Sequence, residues 1–256
     1  MTTLEKILAS ALIAGFATSA SAINITATNN GTTLASAIAG SGITVTNVSY
    51  TGASDMASGT FTGGGNIGFD KGILLTTGTV DCAKGPNSST DCTGVGASTS
   101  LKFDFTSDNG SVFFRYVFAS EEYNEYVGVS FNDLFELRVN GINIATLPDN
   151  AGIVSINNVN NGINASFFRD NNSGAYATGY DGLTTVLTAQ ISGLTGMNSF
   201  EFFITDIGDS AVDSGVFIEA GTFADTPPAD VPEPGSLALV GLGLLGLRRM
   251  RKAQAH

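Results

Sequence analysis

Histidine is all but missing from this chain: its 256 residues hold a single one, His256, at the very end. Without an imidazole in the body of the chain, Ser-His-Asp triads, Cys-His dyads and His-ligated zinc are excluded there. Tryptophan is absent altogether, which removes the commonest platform for stacking on sugar rings and leaves that role to Tyr and Phe. Positive charge is scarce as well. Between residues 23 and 231 the only cations are Lys71, Lys84, Lys102, Arg115, Arg138 and Arg169, against twenty-one Asp or Glu, a net charge of -15 where the whole chain carries -12. Such a surface repels nucleic acid and anionic membrane and favours cations or neutral partners. Chemistry that needs only carboxylates, such as glycoside hydrolysis by an Asp/Glu pair, survives these exclusions.

Helical patterning is also sparse. One short segment fits a helix before the C-terminal tail, with Thr32 as its cap and Leu34, Ala35, Ala37 and Ile38 on its apolar face. What the chain has instead is strand. Residues 43–50, 73–80, 101–106, 111–119, 134–140, 184–191, 200–206 and 214–223 are β-branched or aromatic runs bounded by Gly, Asn and Asp. In 134–140, Phe135, Leu137 and Val139 alternate with Glu136 and Arg138, which marks one core face and one wet face. In 111–119 bulky groups occupy both parities, so that strand belongs at the centre of a sheet. The expected fold is all-β, an antiparallel β-sandwich of jelly-roll type with one short N-terminal helix and a C-terminal hydrophobic sorting helix, because the helices needed to cover a parallel sheet are missing.

Cysteine occurs twice, at Cys82 and Cys92, inside a Gly-Pro and Asn-Ser-Ser stretch that reads as a surface loop. In an exported chain this pair is expected to form a disulfide, closing a small loop and contributing about 2–3 kcal/mol. Export is what the N-terminus suggests. Lys6 precedes an apolar stretch from Ile7 to Ala17, and Ala20-Ser21-Ala22 is a small-residue cleavage site, so residues 1–22 read as a signal peptide.

The C-terminus carries a second address. Val231-Pro232-Glu233-Pro234 is followed by an apolar run to Leu247 and then by Arg248, Arg249, Arg251 and Lys252. The prolines stop any preceding element, and the cations are held on the cytoplasmic side of a membrane. Ser236 to Leu247 is well short of the ~20 residues of a comfortable span, and Gly241, Gly243 and Gly246 weaken it further. A plain C-terminal anchor or an amphipathic tail is the simpler reading. The whole order of turn, apolar run and basic tail resembles the PEP-CTERM sorting signal of bacterial surface and exopolysaccharide-associated proteins. That resemblance implies recognition of Pro232, Glu233 and Pro234 by an exosortase-type membrane enzyme, transient insertion in the inner membrane, and a final place at the cell surface or outside it.

The body resembles a family too. Residues 72–78 (Gly-Ile-Leu-Leu-Thr-Thr-Gly), 118–123 (Phe-Ala-Ser-Glu-Glu-Tyr) with Asn132-Asp133 after them, Asn143-Ile144-Ala145, and 213–218 (Asp-Ser-Gly-Val-Phe-Ile) are similar to blocks of the choice-of-anchor L domain. The resemblance implies an extracellular β-rich module, and Gly215 stands where the family pattern has Ala. The expected organisation is a signal peptide (1–22), the β domain (23–225), a Pro-rich linker (226–231) and the sorting signal (232–256).

Two acidic clusters are the candidate site. Glu121, Glu122 and Glu125, with Asp133 further on, follow the central aromatic strand, and Asp206, Asp209 and Asp213 follow the strand that begins at Phe200. Carboxylates on loops at strand ends, with backbone and Asn carbonyls nearby, are hard oxygen ligands of the kind Ca²⁺ takes, although the spacing matches no EF-hand or nonapeptide repeat. Read structurally, the same residues are solvated loops and caps. Tyr123, Tyr126, Tyr176 and Tyr180 are candidates for sugar stacking or for packing. The leading expectation is a noncatalytic module that adheres to extracellular polysaccharide or other surface proteins, stabilised by calcium, with no nucleic-acid partner. The alternatives are a glycosidase using Glu121 or Glu122 with an Asp of the second cluster, and a structural protein that self-assembles through sheet edges.

Overall fold

The computed structural model describes residues 22–87, 92, 95, 98–207 and 212–228. The expectations for Ala20, Asp209, Pro232, Glu233, Pro234 and the sorting helix lie outside these residues. The described elements, in chain order, begin with β1 (Asn24–Ala27), α1 (Gly31–Ile38), β2 (Ile43–Thr51), β3 (Ser58–Thr62) and β4 (Lys71–Thr76). Then come β5 (Thr99–Ser107), β6 (Ser111–Ser120), β7 (Leu134–Val139), β8 (Ile142–Asn143) and β9 (Phe168–Asp170). The last four are β10 (Gly182–Thr184), β11 (Leu187–Ser192), β12 (Asn198–Thr205) and β13 (Ser214–Glu219).

All strand pairs of the two sheets are antiparallel. One sheet has the order β1-β3-β4-β13-β6-β10-β9, with β11 also on β6, and the other the order β2-β5-β12-β7-β8. This is the sandwich the alternation implied. Phe135, Leu137 and Val139 of β7 face the core while Glu136 and Arg138 face out. Between the sheets the packing is aromatic: the Phe223 ring lies 4.7 Å from that of Phe200 and 5.2 Å from those of both Phe103 and Phe105. Burying one such ring contributes about 1.5–3 kcal/mol.

The eight-stranded sheet is buried on both faces. Phe114, Tyr116 and Phe118 of β6 join the inter-sheet core, whereas Val117 and Ala119 meet a second cluster with Phe61, Leu74, Tyr180 and Phe217. Val80 and Ala83 belong to that second cluster, and Cys82, beside them, is bonded to Cys92 across a Cα separation of 5.4 Å. The disulfide therefore closes a loop that begins in this covering layer. Burial on both faces explains the bulky residues at successive positions of β6.

Several local expectations differ from the fold: the runs 73–80 and 214–223 end as strands at Thr76 and Glu219. The helix cap is Asn30, not Thr32: the Asn30 side-chain Oδ1 accepts from the Thr33 amide at 3.1 Å, and Thr32 lies inside the helix. An Asn followed by Gly31 leaves the cap free to take extended φ/ψ while its side chain bonds the first turn. The single run 184–191 is two strands. The register on β6 slips by one residue between Leu183, opposite Ala119, and Leu187, opposite Tyr116. Within the slip the Thr184 hydroxyl accepts from the Phe118 amide at 3.1 Å, in place of a backbone carbonyl. Among the described residues no helix is long and apolar enough to cross a membrane.

Candidate functional site

The two acidic clusters meet at one end of the sandwich. β6 and β13 are neighbours with Ser120 opposite Ser214, so Glu121, just after β6, and Asp213, just before β13, lie side by side, the Glu121 amide donating to the Asp213 carbonyl at 3.1 Å. In the other sheet Leu134 of β7 is opposite Thr205 of β12, which sets Asp133 beside Asp206. The Asp133 carboxylate accepts from the Ile207 amide at 2.9 Å and so ties the two strand ends together. The sheets bring these pairs close enough that the charge of Asp133 is felt at both Asp213 and Tyr180. Glu122 joins through Ser120, whose hydroxyl accepts from the Glu122 amide at 2.9 Å and from the Ser214 hydroxyl at 2.7 Å.

This end is closed. Glu121 is 4% exposed and Glu122 1%, while Asp133 and Asp213 are fully buried; Glu125 alone of the first cluster is on the surface. Both oxygens of Asp213 are engaged inside the protein. Oδ1 accepts from the Thr77 hydroxyl at 3.1 Å, and Oδ2 accepts from the Tyr180 hydroxyl at 3.0 Å. Burial pushes the Asp213 carboxyl up from 3.8 to about 7, against the pull of these hydrogen bonds and that of the Gly78 amide, and the charge of Asp133 pushes the same way. Burial likewise raises the Tyr180 hydroxyl well above its ordinary value, with the charges of Asp213, Glu121 and Asp133 adding to it. Asp213 is thus a pin that joins β4, β13 and the segment before β10. The described ion pairs of Lys84, Lys102, Arg115 and Arg138 run to Asp81, Glu136, Glu201 and Glu219, away from this end. Among the described residues no three acidic, His or Cys side chains are grouped as a metal centre.

Gly215 acquires a reason here. A Cβ on it would stand 2.5 Å from the Tyr180 hydroxyl, so the glycine leaves room for the group that bonds Asp213. Tyr123 and Tyr180 are fully buried, which makes them packing groups, and Tyr126 and Tyr176 are partly buried. Thr77, Ser120, Ser214 and Tyr180 are the residues of this end that sequence reasoning did not connect to the acids. Thr77, Ser120 and Ser214 lie in blocks singled out above and Tyr180 was named only for stacking or packing, but the pairing runs between segments more than thirty positions apart for Tyr180 and more than ninety for the serines, as their separations of 33 and 94 record. Beside this end, Asn157, Asn158, Asn160 and Asn164 lace the loops with side-chain bonds to the backbone, among them the Asn157 amide to the Val129 carbonyl at 2.9 Å and the Asn164 amide to the Asn158 carbonyl at 2.8 Å.

The chain leaves the domain at the opposite end. Ala224 pairs with Phe113 near the start of β6, whereas the acids lie beyond its last residue, Ser120, roughly 20–25 Å away at ~3.3 Å per residue.

Comparison with known proteins finds two family models in the chain. One, described as the Choice-of-anchor L domain, matches residues 22–224, and the other, the PEP-CTERM protein-sorting motif, matches residues 230–252. No curated protein and no solved structure matches.

Proposed function

The chain belongs to the choice-of-anchor L domain family and carries a PEP-CTERM sorting motif after that domain, and from this premise we propose that it acts at the cell surface as a noncatalytic adhesion module that holds extracellular polysaccharide. The protein is exported and surface-sorted, and its motif implies processing by an exosortase-type membrane enzyme. The observation that carries the noncatalytic reading is the burial of Glu121 and Glu122. The glycosidase alternative would work through carboxylates, and Glu121 and Glu122 are 4% and 1% exposed. A retaining or inverting pair must flank a glycosidic bond in a cleft wide enough to admit the sugar. The test is to incubate the full-length chain with polysaccharide from the producing cells and to measure co-sedimentation and new reducing ends together. Co-sedimentation without new reducing ends is expected. Reducing ends that accumulate, and that Glu121→Gln or Glu122→Gln abolishes, would replace this reading with the glycosidase.

Calcium is a subsidiary proposal for the same end, motivated by the carboxylates that the pairing of β6 with β13 and of β7 with β12 gathers at the strand ends. Hard oxygen donors of this kind suit Ca²⁺ over softer metals. Thermal unfolding after chelation, titrated with Ca²⁺ against Mg²⁺, tests it, because a ligand that binds the native state raises the midpoint. No calcium-selective rise at millimolar concentrations would remove it.

A further inference from the structure

The outer face of the five-stranded sheet sets two of the domain's six cations, Lys102 and Arg138, in one row with a carboxylate between them. Ser49, Lys102, Glu201, Arg138 and Asn143 are registered partners in succession across β2, β5, β12, β7 and β8, so alternation turns them outward as one row. Glu201 sits between the two cations, 3.1 Å from Lys102 Nζ and 3.1 Å from an Arg138 nitrogen, and accepts from the Ser100 hydroxyl at 3.0 Å. Arg138 also clasps Glu136, and its guanidinium carbon lies 4.7 Å from the centre of the Phe203 ring. In the next row Asp104 is opposite Ser199 and is held by the Asn47 amide at 2.7 Å. The polar groups are fixed before any ligand arrives.

The face is also not flat. On one side β2 slips register between Thr46 and Ser49, where Asn47 takes a φ of 52°. On the other side Asn140 and Gly141, at φ 50° and 82°, make the tight turn between β7 and β8. Between these two raised walls is a depression of about 380 Å³, lined by Asn47, Lys102, Asp104, Arg138, Ser199 and Glu201 among others. From β2 to β7 there are three strand spacings, roughly 14 Å at ~4.8 Å each, which is wide enough for one extended sugar chain.

We propose that this trough binds a single chain of a neutral polysaccharide, a proposal that rests on the polysaccharide-holding reading above and gives it a place. Two cations face two carboxylates in the lining, so the trough is charge-balanced within a chain of net charge -12. An anionic polymer would need uncompensated positive charge, and an apolar partner would need exposed hydrophobic side chains on the floor. A polyhydroxylated chain needs donors and acceptors side by side. A carboxylate offers about four lone-pair positions and a guanidinium five N–H groups, so Glu201, Asp104 and Arg138 keep capacity for sugar hydroxyls after their internal bonds are made. Asn47 supplies the wall donor, and Ser199, small and outward, leaves the floor open.

The experiment is affinity electrophoresis of the full-length chain through gels containing dextran, mannan or galactan, with alginate as the anionic polymer, alongside co-sedimentation with polysaccharide from the producing cells. Ser199→Tyr fills the floor and Asn47→Ala removes the wall donor, while Thr188→Tyr places the same bulk on the exposed side of β11 in the other sheet. Unchanged thermal midpoints certify that the variants fold. Retardation by a neutral polymer or binding to the native polysaccharide, weakened at least about tenfold by Ser199→Tyr and by Asn47→Ala but not by Thr188→Tyr, is the expected result. Binding that survives Ser199→Tyr, or stronger retardation in alginate than in any neutral gel, overturns the trough while leaving polysaccharide adhesion in place. No binding to any of these polymers overturns adhesion and the trough together.

Discussion

Asp213→Asn should stabilise the protein at alkaline pH and leave it unchanged in acid. The Asp213 carboxyl is fully buried and its pKa is raised from 3.8 to about 7, chiefly by burial. The native state therefore holds a proton that the unfolded chain releases between these two values. For such a group ∂ΔG/∂pH is negative: its contribution is fully present below pH 3.8 and is lost as pH climbs through about 7. A shift of about three units at about 1.4 kcal/mol each is worth about 4 kcal/mol by pH 8. Asn keeps an oxygen for the Thr77 hydroxyl and offers its amide to the Tyr180 oxygen, so it preserves the geometry without a charge to ionise. Urea unfolding of both proteins at about pH 4, 6 and 8 isolates this group, because every other carboxylate is common to the pair. The variant should match the parent near pH 4 and exceed it by up to about 4 kcal/mol near pH 8. Tyr180→Phe, which removes a hydrogen bond that holds the Asp213 carboxyl down, should move the parent's loss of stability to higher pH. A variant less stable than the parent at pH 8, or a difference that does not change with pH, would refute the argument and show Asp213 ionised at little cost, as a bound cation would make it.

Gly215→Ala should cost about 1–3 kcal/mol in the same unfolding assay, because its Cβ would displace the Tyr180 hydroxyl that lies 2.5 Å away. Replacing Cys82 and Cys92 by Ser should lower stability by about 2–3 kcal/mol, and reductant should do the same to the parent and nothing to the variant. Asn30→Ala should cost about 1 kcal/mol through the loss of the cap on α1, whereas Thr32→Ala should fall within about 0.5 kcal/mol of the parent.

The strands were legible where a physical period could be read locally. Phe135, Leu137 and Val139 against Glu136 and Arg138 announce a half-buried strand, and the apolar run of β6 announces one buried on both faces. β1, β3 and β9 were not legible, because Asn24–Ala27, Ser58–Thr62 and Phe168–Asp170 are short and carry few apolar residues; they are strands because a neighbour supplies their ladder bonds. The acids were legible as residue types at strand ends but not as one group. Their meeting depends on β6 adjoining β13 and β7 adjoining β12, pairings of segments far apart in the chain. Nor could sequence say that Asp213 would spend both oxygens on Thr77 and Tyr180. The trough is invisible for the same reason, since its central row runs from Ser49 to Asn143 through the register of four strand pairs.

Adhesion at the surface is the central claim, and the most direct measurement is the amount of this protein left on intact cells before and after their extracellular polysaccharide is stripped enzymatically. The account predicts that the protein is released with the polysaccharide, and that the Ser199→Tyr variant is already found in the medium. Protein that stays on the cells after stripping, in the parent and the variant alike, would contradict it.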